Sequence, residues 1–171
     1  MKFVKFVAGL LLCIFVFQPE VSAQTTFILF RHAEKDTSMA GSGQMDANPP
    51  LSDVGLKRAQ KLVKALEEYK PDQLFTTDFT RTRQTIQPLA EKFKLPVKTY
   101  DHKQLRAFAD SLLTLKNQVI FIAGHSNSTP ALANMLNKRD VFKQFAETEY
   151  GTILLVMVPA QGRPDSEVIE Y

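Results

Sequence analysis

The sequence predicts an α/β protein built in three layers, αβα, with helices on both faces of a mostly parallel central sheet. Short apolar runs of strand length alternate with stretches whose apolar residues recur every three or four positions, the order of a chain that passes repeatedly through one sheet. The strand-like runs are nearly continuous in apolar residues, as strands covered on both faces are. Their ends carry chemistry: Phe27-Ile28-Leu29-Phe30 leads into Arg31-His32, Gln73-Leu74-Phe75-Thr76-Thr77 into the segment that contains Arg81, and Val119-Ile120-Phe121-Ile122-Ala123-Gly124 into His125-Ser126. Ligands of open α/β sheets bind outside the carboxyl ends of the strands, so two imidazoles and two guanidiniums far apart in sequence are predicted to meet at one edge.

Taken in order, Thr26 to Phe30 is the first strand, and a loop rich in Gly, Ser, Asn and Pro runs from Asp36 to Pro50. Ser52 is a suitable N-cap for a helix carrying Leu56, Ala59, Leu62, Val63 and Leu66 and reaching Tyr69. Pro71 closes it, Gln73 to Thr77 is the second strand, and Phe79 to Phe93 is a helix that Pro88 should kink or divide. Pro96 to Tyr100 is the third strand, Lys103 to Leu115 an amphipathic helix, Gln118 to Ala123 the fourth strand, and Thr129 to Leu136 a helix with Pro130 at a favourable early position. A shorter helical piece is expected over Val141 to Thr148. Gly151 to Val158 is the longest strand, and Val168 to Tyr171 is expected to pair beside it as an edge.

The first 23 residues stand apart from this pattern. Lys2 and Lys5 precede an apolar run from Phe6 to Phe17, and Val21-Ser22-Ala23 offers small residues before Gln24, the layout of a secretory signal peptide cleaved after Ala23. The run is shorter than the roughly 20 residues a bilayer span needs. Cys13 follows Leu12 instead of a small residue, which speaks against a lipid-modified amino terminus. The expected product is one domain, residues 24–171, secreted or periplasmic and without stable membrane association after cleavage.

Loss of Lys2, Lys5 and Glu20 takes the net charge from +3 to +2, and no basic stretch alternates with aromatics, so no nucleic-acid partner is expected. The processed chain has no cysteine, which excludes thiolate zinc sites, iron–sulfur clusters and thiol catalysis. Arg31, Arg81, His32 and His125 converging on one point suit a dianion, most naturally a phosphoryl group. A competing reading places a metal on His32, His125, Glu34 and Asp101, but two neighbouring guanidiniums repel a second cation in a partly dry pocket. His102, beside Lys103 in a polar turn, reads as solvated surface, and Arg83 as a surface charge or ion-pair partner.

Arg31-His32-Ala33-Glu34, the segment Thr77-Asp78-Phe79-Thr80-Arg81-Thr82-Arg83-Gln84-Thr85, and Gly124-His125-Ser126-Asn127 together resemble the histidine phosphatase superfamily, with its phosphoglycerate mutase-like fold. Leu51-Ser52-Asp53-Val54-Gly55-Leu56-Lys57-Arg58-Ala59 is similar to the start of that family's first helix. Ala33 and Ser126 stand where the acid phosphatase and phytase branch has Gly and Asp, so the chain looks closer to compact members such as the small phosphohistidine phosphatases.

The resemblance implies that His32 is the nucleophile and forms a phosphohistidine, with Arg31, Arg81 and His125 binding the phosphoryl oxygens. No metal or other cofactor is expected. For the proton owed to the leaving oxygen, the resemblance points to an acid after the third strand, where Asp101 stands, with Glu34 as the alternative. Asp101 serves equally as a helix cap, and an acidic leaving group needs neither. The expected activity is hydrolysis of a phosphorylated small molecule or a phosphoprotein. Other readings are a non-catalytic phosphate- or phosphoprotein-binding module on the same fold, a phosphomutase, or a metal-dependent hydrolase.

Overall fold

In the computed structural model, which describes residues 23–38 and 48–171, the first apolar run becomes β1 (Gln24–Arg31), and its side chains divide between two cores. Phe27 and Leu29 face one, Ile28 and Phe30 the other, and all four are fully buried. The predicted signal peptide, apart from Ala23, and most of the following Gly-rich loop lie outside the described residues.

Three further strands lie parallel to β1: β2 (Gln73–Thr76), β3 (Val97–Thr99) and β4 (Val119–Gly124), with β4 between β1 and β2. β5 (Thr152–Pro159) runs antiparallel to β1, and β6 (Asp165–Glu170) antiparallel to β5. The sheet order is therefore β3-β2-β4-β1-β5-β6. The sheet is mixed, which corrects the expectation of a mostly parallel one. The reversal follows from the chain path: the segment 138–151 returns to the end of the sheet where β1 and β4 finish, so β5 starts there and must run back, pairing Ile153 with Phe30 and Pro159 with Gln24.

Helices α1 (Asp53–Ala65) and α2 (Thr80–Phe93) cover one face, where Leu62, Leu66, Ile86 and Leu89 pack on Ile28, Phe30 and Phe121. On the other, α3 (Leu105–Leu112) and α4 (Ser128–Asn137) set Leu112, Leu132 and Leu136 against Phe27, Leu29 and Ile122. Each such side chain taken out of water contributes about 1.5–3 kcal/mol, so both layers are strongly held. Ser52 caps α1 as predicted, accepting from the Gly55 amide at 3.2 Å.

One local expectation fails in part and another outright. Pro88 does not divide α2, which continues through it to Phe93. The helix expected over 141–148 does not form, because side chains take its backbone groups first. Asn134 Oδ1 accepts from the amides of Val141 and Phe142 at 3.0 and 2.9 Å, and its Nδ2 donates to the Phe142 carbonyl at 2.8 Å. Glu149 accepts from the Ala146 amide at 3.0 Å.

Candidate active site

The register brings the predicted residues to one level: Arg31 lies opposite Gly124, and Thr76 opposite Ala123, so β1, β4 and β2 finish side by side. Arg31-His32 leaves β1, His125 leaves β4, and Arg81 sits in the first turn of α2 just beyond β2. They line one polar cavity of about 390 Å³ together with Lys35, Phe79, His102 and Glu147. Gly124 is needed for this closeness, since a Cβ there would come within 2.6 Å of Thr129 Oγ1 and 2.9 Å of the Tyr100 hydroxyl. A larger hollow of about 980 Å³ between α3 and α4 shares Asn127 and Gln144 with the cavity but contains neither the three histidines nor Arg31 and Arg81.

His32 Nδ1 lies 2.7 Å from the Ala33 carbonyl oxygen. A carbonyl only accepts, so Nδ1 carries the proton and Nε2 keeps the free lone pair. The Ala33 peptide is itself fixed, because its amide donates to Thr85 Oγ1 at 3.0 Å, and that hydroxyl donates to the Arg81 carbonyl at 2.8 Å. Burial, then the charges of Arg81 and Arg31, bring the His32 pKa down to about 4 against the Ala33 hydrogen bond, which raises it. The ring is thus neutral, and nucleophilic, at neutral pH.

His125 is held through a pair of hydroxyls. Its Nε2 is 2.9 Å from Thr77 Oγ1, which is 2.9 Å from Thr82 Oγ1, which reaches the carbonyls of Phe79 and Thr77 at 2.9 and 3.0 Å. Thr82 gives its one hydrogen to a carbonyl, so Thr77 donates to Thr82 Oγ1 and accepts from the His125 Nε2–H; rotating the Thr77 hydroxyl to Nε2, at the cost of its bond to Thr82, is what puts the proton on Nδ1 for a phosphoryl oxygen. Burial, followed by His32 and Arg81, brings the His125 pKa down to about 3. The two rings meet edge to face, 5.5 Å between centroids.

The two guanidiniums differ. Arg31 is 5% exposed; its Nη1 donates to the carbonyls of Ala146 and Glu149 at 2.7 and 2.9 Å, and its Nη2 pairs with Glu147 Oε2 at 3.3 Å. Arg81 forms no side-chain hydrogen bond or ion pair with the described residues and rests on the Phe79 ring at 4.6 Å. The Nε atoms of both are buried without a partner. Burial and the charge of Arg31 lower the Arg81 pKa. A half-buried cation with an unpaired buried Nε is costly, and a bound anion relieves that cost.

The carboxylates expected to supply a proton are placed elsewhere. Asp101 is exposed, accepts from the Lys103 amide at 2.9 Å as a turn cap, and lines a neighbouring hollow, not the cavity of His32. Glu34 faces Arg58 at 2.7–2.9 Å; burial pushes its pKa up, but the Arg58 hydrogen bonds outweigh this and hold it below the ordinary range. With Glu34 and Asp101 turned to these partners, the metal set of His32, His125, Glu34 and Asp101 does not converge; among the described residues no group of three or more His, Cys, Asp or Glu is placed to hold an ion. Arg83 pairs with Asp78 at 2.6 Å on the surface, as expected.

Residues in and beside the cavity were not all anticipated. His102, read as solvated, packs edge to face on Phe79 and His125 with centroids 5.4 Å from each. Glu147 and Tyr150 arrive on the returning 138–151 segment, with the Tyr150 ring 4.4 Å from the Arg31 guanidinium carbon. The Asp101-x-Lys103 turn after a strand on the same sheet edge was the available signal for His102. Nothing local marks Glu147.

Known structures share this architecture at low sequence identity. A mycobacterial glucosyl-3-phosphoglycerate phosphatase superposes with a TM-score of 0.65 at 13% identity, covering 86% of this chain and 99% of that one. A phosphoserine phosphatase from Entamoeba histolytica gives 0.65 at 14%, covering 86% and 97%. An Agrobacterium tumefaciens protein assigned as the phosphohistidine phosphatase SixA gives 0.63 at 18%, covering 85% and 98%. No curated protein matches the chain in sequence. The sequence pattern of the histidine phosphatase superfamily (branch 1) matches residues 27–122, and with that match over more than half its length the chain belongs to this superfamily.

Proposed function

We propose that the protein is a secreted or periplasmic, metal-independent phosphatase that hydrolyses phosphate monoesters or a phosphoprotein through a phosphohistidine on His32. The observation that carries this reading is the half-buried Arg81 guanidinium, its Nε buried without a partner, facing the same cavity as the neutral His32 ring. Arg81 and Arg31 bind the incoming dianion and spread the charge that develops on the phosphoryl oxygens, where catalysis is mainly positioning and electrostatics. His32 Nε2 attacks phosphorus, and His125 donates to a phosphoryl oxygen. Water then releases phosphate from His32. A pure binding module has no use for a histidine whose Nδ1 is tied to a carbonyl so that Nε2 is free. Secretion rests on residues 1–23, and cleavage after Ala23 would leave Gln24, the first residue of β1, as the amino terminus.

The test is hydrolysis of p-nitrophenyl phosphate by the wild type and His32→Ala, with vanadate as inhibitor. The expected result is vanadate-sensitive turnover that falls by at least about 10³-fold in the variant, since no other group replaces the nucleophile. Equal turnover in both would refute the mechanism.

A further inference from the structure

Resting on the phosphatase reading, we propose that His102 is the catalytic proton donor to the leaving oxygen and, in the second step, the base that activates water. The three histidines form a continuous row: His32 to His125 spans 5.5 Å between centroids and His125 to His102 spans 5.4 Å. His102 and Phe79 form the partition between the phosphoryl cavity and an adjoining hollow of about 390 Å³ that Tyr100, Asp101 and Lys103 also line. A leaving group that passes from the phosphorus into that hollow crosses the His102 ring.

The carboxylates near the site are committed. Glu34 is held by Arg58, and Asp101 accepts from the Lys103 amide. Glu147, which does line the cavity, gives Oε2 to Arg31 at 3.3 Å and accepts from the Ser126 hydroxyl on Oε1 at 3.2 Å, so both its oxygens are already engaged. His102 makes ring contacts but no hydrogen bond with the described residues, so both its nitrogens are available. An imidazole nitrogen can give a proton in one step and take one in the next, as the double role requires.

The steps balance. As the His32 Nε2 lone pair forms the N–P bond, the P–O bond to the leaving group breaks, and the leaving oxygen takes the proton of the His102 imidazolium. Alcohol departs, with His102 neutral and His32 phosphorylated. A water then gives its proton to His102 as its oxygen bonds to phosphorus, the N–P bond breaks, and inorganic phosphate leaves with both histidines restored.

The experiment compares ethyl phosphate, a poor leaving group, with p-nitrophenyl phosphate in the wild type, His102→Gln and Glu147→Gln, with phosphoenzyme formation followed in parallel. The expected result is that His102→Gln lowers kcat/KM for ethyl phosphate on the order of 10²-fold more than for the aryl ester, and that added imidazole restores ethyl phosphate turnover in His102→Gly. Packing alone would produce neither the leaving-group dependence nor the rescue. Equal slowing of both esters without rescue would overturn the assignment, and a selective alkyl defect confined to Glu147→Gln would move the role to Glu147. Either outcome leaves the phosphatase reading standing if the wild type still forms phosphohistidine. If the wild type forms no phosphoenzyme, that reading falls and the assignment with it.

Discussion

Arg31 and Arg81 face the same cavity, and the molecule treats them differently. The Arg31 guanidinium is bound to two backbone carbonyls and a carboxylate of the 146–149 segment, so it ties the end of β1 to the stretch that leads into β5. Arg81 lies on an aromatic face with its Nε unpaired. One cation is largely spent on structure, and the other is held in reserve for an anion. Identical residue types, one ending β1 and the other in the first turn of α2, therefore divide folding and binding between them.

That division makes unequal predictions for the two alanine variants. Arg81→Ala should lower kcat/KM by on the order of 10²–10³-fold while leaving stability to urea unchanged or raised, because a charge contact used in the transition state is lost along with a half-buried cation whose Nε has no partner. Arg31→Ala should lower activity too, but with a loss of roughly 2–4 kcal/mol of stability, since two carbonyls lose their donor. Matching stability losses in the two variants would erase the distinction. Lysine should restore Arg81 only in part, for want of the planar fork.

Glu147 sharpens the comparison by a smaller amount. Its carboxylate occupies Arg31 while its side chain is 71% exposed, so it competes with an incoming phosphoryl group. Glu147→Gln should tighten inhibition by inorganic phosphate by up to about fivefold, the scale of an exposed pair worth at most roughly 1 kcal/mol. Unchanged or weaker phosphate inhibition would show that the carboxylate does not compete.

A separate effect is on pH dependence. With folded pKa values brought down to about 4 for His32 and about 3 for His125, against about 6.5 in the unfolded chain, the unfolded state binds more protons as the solution is acidified. Stability should fall as pH drops through the window from about 6.5 to 4, and His32→Gln should flatten part of that slope. A slope unchanged by the substitution would place the titrating groups elsewhere.

The fold and the four central residues were legible because their signals are local. Apolar runs ending in Arg31-His32 and Gly124-His125 need only the rule that ligands gather at strand ends, and Ser52 announces α1 by its cap chemistry. What was not legible depends on tertiary contacts. Val141, Phe142 and Phe145 have helical spacing, yet Asn134 captures the 141 and 142 amides, and no local pattern reports a side chain on another element. The direction of β5 and the arrival of Glu147 follow from that same segment. His102 was misread because Lys103 beside it suggested solvent, whereas the Asp101 turn brings its ring against Phe79 and His125.

The central claim is that His32 carries the phosphoryl group, and it is tested most directly by mixing the wild-type protein with p-nitrophenyl phosphate, quenching in alkali within milliseconds, and mapping the modified residue by mass spectrometry. The account predicts a single acid-labile, base-stable phosphoryl group on His32 that forms no slower than turnover and is absent from His32→Ala. Phosphate release without any phosphoenzyme, or a phosphoryl group on His125 or His102 instead, would contradict it.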